Sequence, residues 1–159
     1  MKLNRGPNRD CISRFGFLSP LEIPIWDSEL ARVPENVTPE EFFLVLDSSA
    51  DEFEVERNAD SITMSTNEEF QLTWPSETAM RVDVAGIRAL KQYVSGWEQL
   101  NQFQQSEVAA GLRVFLDTCP DGGNVKLEEN IVESCCSTHD VVSVVCAESG
   151  DRLLEQRVY

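Results

Sequence analysis

The sequence predicts a single α+β domain. An antiparallel β-meander over about 52–74 and a C-terminal β-hairpin over about 141–158 pack against two or three helices, over about 39–47, 83–103 and 106–118. Three observations carry this reading. Ile87, Leu90, Val94 and Trp97 recur at gaps of three, four and three, which places them on one side of a helix. From Glu52 onward the apolar period drops from helical to two. A length of 159 residues with a 42% apolar share suits one domain with a core of its own.

Residues 1–14 read as a basic arm, because four of the 13 basic residues (Lys2, Arg5, Arg9, Arg14) fall there against one acid, Asp10. Residues 15–37 read as an extended, proline-rich wrap. Pro20, Pro24 and Pro34 discourage long regular elements. Phe15, Phe17, Leu18, Leu21, Ile23, Ile25 and Trp26 nevertheless make the segment too apolar for a disordered linker. At most a turn of helix is expected there, after Asp27.

Thr38-Pro39-Glu40-Glu41 is a helix start. Thr38 caps, Pro39 suits the first turn, and Glu41 completes a capping box. Three alternating segments follow, around Phe53 and Val55, Ile62 and Met64, and Phe70, Leu72 and Trp74. Their apolar face calls for a covering helix, and their other face shows carboxylates and hydroxyls to water. The main helix supplies the cover, with Asp83 read as its N-cap and Gly86 and Gly96 inside it. Ser106-Glu107 starts the next helix, which stops at Cys119-Pro120. Val125 to Glu133 fits either period and is read as helix. Val141 to Ala147 is apolar on both sides, as in an inner strand, and Glu148-Ser149-Gly150-Asp151 turns it into a last strand. Whether meander and hairpin share one sheet is left open.

Charge excludes some functions. With 28 acidic residues against 13 basic, the net charge is −15, which disfavours nucleic-acid phosphates and anionic membranes as partners. Between Glu35 and Glu69 eleven acids face Arg57 alone. A basic protein is the partner such a surface fits, and a merely solvated acidic face is the plainer alternative. No apolar run is long enough to span a bilayer, and no hydrophobic stretch follows the N-terminal basic residues as a secretory signal requires. Cys11, Cys119, Cys135, Cys136 and Cys146 are few and odd in number, so they read as reduced thiols in a cytoplasmic protein.

The chemistry-bearing candidates are few. Cys135, Cys136 and His139 offer a Cys-x-x-His spacing for zinc, but a complete site needs Cys119, Cys146 or a carboxylate to converge on it. Buried cysteines beside a strand and a turn histidine are the plainer reading, and no metal is expected. His139 is the single histidine, and no G-x-S-x-G elbow or phosphate-binding glycine loop accompanies it. Histidine-based catalysis and a cofactor are therefore not expected, and the catalytic residues of an enzyme, if it is one, are unknown from sequence. Glu52, Glu54 and Glu56 project from one side of a strand, about 7 Å apart, and with Glu69 form the expected partner-binding surface. Three functional readings result. The leading one is a non-catalytic soluble protein whose acidic surface docks a basic partner. The second is a small-ligand binder or enzyme with a pocket lined by Trp26, Trp74 and Trp97. The third is a self-associating structural protein, a homodimer joined through the basic arm or the terminal strand.

Overall fold

The computed structural model describes residues 25–46, 53–66 and 70–158. The basic arm, residues 15–24 of the wrap, Cys11, Glu52 and Glu69 lie outside the described residues.

Two antiparallel three-stranded sheets and a set of helices form the α+β architecture. Helix α1 (Ile25–Arg32) stands where the sequence suggested at most one turn. Asp27 in its first turn and Arg32 in its last match the helix dipole. Trp26, Leu30 and Val33 are buried. Its end carbonyls are satisfied from outside: Arg81 Nε donates to Val33 O at 3.2 Å and Nη2 to Leu30 O at 3.4 Å. Helix α2 (Pro39–Val45) begins with the expected capping box. Glu41 N donates to Thr38 Oγ1 at 3.3 Å, and Thr38 N donates to Glu41 Oε2 at 2.9 Å.

Strands β1 (Glu54–Asn58), β2 (Ser61–Thr66) and β3 (Phe70–Trp74) form the predicted meander, in that order. Register places Val55, Met64 and Leu72 on one face and Glu56, Thr63 and Thr73 on the other. The first face is core: Met64 and Trp74 are buried, and Phe42 meets the Trp74 ring edge-on at 4.7 Å. The second face is polar, with Thr63 Oγ1 and Thr73 Oγ1 hydrogen-bonded at 3.1 Å.

Helix α3 (Glu77–Tyr93) is the central element, buried on most of its circumference. Its cap is Ser76, whose Oγ accepts from Ala79 N at 3.1 Å, so the helix starts earlier than a cap at Asp83 implies. It also ends earlier. Val94 is extended, and Gly96 adopts φ 84°, a left-handed conformation that glycine takes without a Cβ penalty. Trp97 is then buried from a 3-10 turn (Trp97–Gln99) rather than from the helix. Helix α4 (Gln102–Leu112) starts at a second capping box, between Asn101 and Gln104, not at Ser106. A Cβ on Gly86 would lie 3.8 Å from Leu112 Cδ1, so the missing side chain marks where α3 and α4 approach.

The segment read as helix after Val125 is a strand. β4 (Val125–Ser134), β5 (Ser137–Cys146) and β6 (Arg152–Val158) form the second sheet, in that order. A ten-residue ladder with β5, from Val125 opposite Cys146 to Ser134 opposite Ser137, decides the ambiguity in favour of period two. A register shift at Val144/Val145 leaves Leu153 between paired residues, fully buried. Val144, Cys146 and Leu153 join Trp26, Phe42, Met64, Trp74 and Ile87 in one hydrophobic cluster, so the two separate sheets share a core. No helix among the described residues is long and apolar enough to cross a membrane.

Candidate functional site

Among the described residues a polar cleft of about 650 Å³ opens at the N-terminal end of α3. The β1–β2 turn (Asn58 to Ser61), Ser76 to Thr78, Pro120-Asp121 and Gly150 to Arg152 wall it. Local hydrogen bonds hold these walls together. Ser76 Oγ donates to Arg152 O at 2.5 Å, and Thr78 Oγ1 donates to Asp151 Oδ2. Arg57, Arg81 and Arg152 bring positive charge into an acidic chain, but each is engaged. Arg57 pairs with Glu77 at 3.5 Å, and Arg152 pairs with Asp60 at 3.3 Å and Glu155 at 2.7 Å. Arg81 caps α1. Exposed pairs of this kind contribute little stability. They do consume the cations that a ligand anion would need.

A buried polar network centres on Asp83. Arg113 Nε donates to Asp83 Oδ1 at 2.7 Å, Arg113 Nη2 donates to Asp83 Oδ2, and Trp74 Nε1 donates to Asp83 Oδ2 at 2.9 Å. Arg113 Nη1 continues to Leu153 O at 3.0 Å. Burial pushes the Asp83 carboxyl above its ordinary value, with the guanidinium and the indole pulling it back. The network links both sheets through α3. It is closed to solvent and offers no reacting atom to a substrate.

Cys119 and Cys146 form a disulfide across 27 residues, which corrects the reading of all cysteines as reduced thiols. An odd cysteine count hid the pair, because it does not point to complete pairing. The disulfide also removes reduced cysteines as a ground for a cytoplasmic address. Cys135 and Cys136 are exposed thiols at the two-residue β4–β5 turn, with sulfurs 3.8 Å apart. His139 Nε2 lies 2.7 Å from Ser137 Oγ. The ligand group that does converge among the described residues is Cys119, Asp121 and Cys146, whose ligand atoms lie within 4.8 Å of one another.

The remaining candidates are placed as follows. Glu54 and Glu56 are exposed on the polar face of edge strand β1, opposite Ser65 and Thr63. Trp26, Trp74 and Trp97 are all buried, at 5%, 1% and 2% exposure, and none of them lines the cleft. Sequence reasoning missed the cleft arginines, and it named Cys119 and Cys146 only as additions to a Cys135–His139 site, without Asp121 or their own link. The Cys119–Asp121–Cys146 group has a signal, a glycine-closed turn after each cysteine.

No curated protein and no solved structure matches this chain. Two family profiles do, the central domain over residues 24–114 and the C-terminal domain over residues 117–156. The join between them falls just past Arg113, within the shared core. The chain belongs to the Family of unknown function (DUF8054).

Proposed function

We propose that this protein is a non-catalytic interaction module that docks a basic partner on the acidic face of the first sheet. The observation that carries the reading is the pairing of exposed Glu54 and Glu56 on edge strand β1, backed by Thr63, Ser65 and Thr73. Two carboxylates at two-residue spacing, about 7 Å apart, suit lysine or arginine side chains at the same spacing on an extended partner. The net charge of −15 adds long-range attraction that speeds encounter with a basic protein. Capture of such a partner at low salt, weakened by Glu54→Lys with Glu56→Lys and by added salt, tests the reading. Capture indifferent to both the substitutions and the salt contradicts it.

The polar cleft favours a second reading, a small polar ligand held at the N-terminal end of α3. Its volume of about 650 Å³ lies in the range of ligand pockets. A metabolite panel read by thermal shift tests it: a stabilising hit supports the reading, and a panel without one counts against it.

A further inference from the structure

Two turns in the C-terminal half are built alike. Cys119 opens one and Cys146 the other, and each is closed by a glycine in the left-handed region, Gly122 at φ 90° and Gly150 at φ 77°. In both, the glycine N–H donates back to the cysteine carbonyl at 2.9 Å. The turns are also tied to their surroundings without help from sulfur. Cys119 N donates to Gly123 O at 2.8 Å, Ala147 N to Asn124 O at 2.8 Å, and Cys146 N to Asp151 O at 2.9 Å. Both turns are thus fixed through the backbone as well as through the S–S bond.

Two carboxylates join them. Asp121 Oδ1 accepts from Gly123 N at 2.9 Å, which fixes the acid over its own turn. Glu148 comes in from the other turn. A Cβ on Gly123 would lie 3.1 Å from Glu148 Cγ and 3.2 Å from Asp121 Oδ1, so the bare glycine leaves the space in which the acids approach. The ligand atoms of Cys119, Asp121 and Cys146 lie within 4.8 Å of one another, so small side-chain movements would bring them to the roughly 3.5–3.8 Å separations that Zn–S bonds of about 2.3 Å and Zn–O bonds of about 2.0–2.2 Å set around a tetrahedral ion.

We propose that, once the Cys119–Cys146 disulfide is reduced, the two thiolates and the Asp121 carboxylate bind one Zn²⁺ ion, with Glu148 or water completing a tetrahedron. The chemistry selects the metal: two soft thiolates with one carboxylate suit zinc and exclude calcium or magnesium, which take oxygen ligands. A dithiol reductant delivers two electrons and two protons to the S–S bond, giving two thiols and the reductant's own disulfide. Zinc then displaces both thiol protons to solvent. Asp121 is exposed while both cysteines are buried, so the carboxylate side is where the ion enters. The disulfide and the zinc thiolate are alternative closures of one site, and the redox state selects between them.

The test uses the full chain carrying Cys11→Ser, Cys135→Ser and Cys136→Ser, so that the two site cysteines are its remaining sulfhydryl groups. The protein is prepared oxidised and dithiol-reduced, freed of reductant, and titrated with Zn²⁺ alone against a chromophoric chelator. Native mass spectrometry counts the metal, and Co²⁺ replaces zinc to report thiolate coordination by absorption. The result expected is one zinc per reduced chain and none per oxidised chain. Asp121→Asn should weaken zinc by more than the roughly 10–100-fold that loss of an outer-shell partner costs. A reduced chain that takes no zinc overturns the proposal, as does zinc binding equal in both redox states or unaffected by Asp121→Asn. If reduction loosens the fold, recovery of the native circular dichroism on adding zinc supports the site, and no recovery overturns it.

Discussion

Arg113 reaches across thirty residues to close a two-pronged pair on Asp83, and both side chains are within a few per cent of complete burial. Arginine cannot shed its proton in a protein, so the cation is tolerated only because the carboxylate and the Leu153 carbonyl meet it. The pair joins the middle of α3 to the turn after α4, and through Leu153 to β6.

Arg113→Met should therefore cost about 3–5 kcal/mol near neutral pH, because it leaves a buried carboxyl without its counter-charge. The pH dependence has a definite sign. Asp83 already sits above its ordinary value of 3.8 because burial disfavours the charged form, and removing Arg113 raises it further. The unfolded chain releases this proton near 3.8, while the folded variant holds it. The variant's stability is thus highest in acid and falls as pH rises from 3.8 through the folded value. Urea midpoints across that range check the slope. Adding Asp83→Asn should recover part of the loss at neutral pH, and a double variant weaker than the single one would contradict this account.

Leu90→Ala tests the placement of α3 as the central helix. Leu90 is 5% exposed, in the cluster shared by both sheets. The truncation should cost on the order of 2–5 kcal/mol, read as a lower denaturation midpoint with an unchanged slope.

Removing the Cys119–Cys146 link, by Cys119→Ser with Cys146→Ser, should cost roughly 3–4 kcal/mol through the freedom regained by the unfolded chain. Thermal unfolding of oxidised wild type against the double variant measures it. Equal midpoints would show that the link does not form in solution.

How much of this was legible follows from the range of the forces involved. The meander was readable because alternation over Phe53–Val55, Ile62–Met64 and Phe70–Trp74 is written locally, and so was the Thr38–Glu41 box. Val125 to Glu133 was not. Leu127 and Ile131 stand four apart, a helical spacing, and also share a strand face, so only the β5 ladder decides. Asp83 resembled a cap because an acid before an apolar run usually is one; its partners Trp74 and Arg113 lie nine and thirty residues away, beyond any local pattern. Ser76 carried the true cap signal, directly after Pro75. The candidate zinc ligands were legible only as residue types. Their convergence depends on two turns that the second sheet brings together.

The measurement that bears most directly on the proposed docking role is the affinity of a lysine-rich extended peptide, read by fluorescence anisotropy at low and high salt. Three proteins are compared: wild type, Glu54→Gln with Glu56→Gln, and Glu98→Gln with Glu107→Gln. The last pair removes equal charge from exposed sites off the first sheet. The account predicts salt-sensitive binding that the β1 substitutions weaken several-fold more than the control pair does. Equal weakening by both pairs would mean that the chain attracts basic peptides through its overall charge, and it would contradict a docking face on β1.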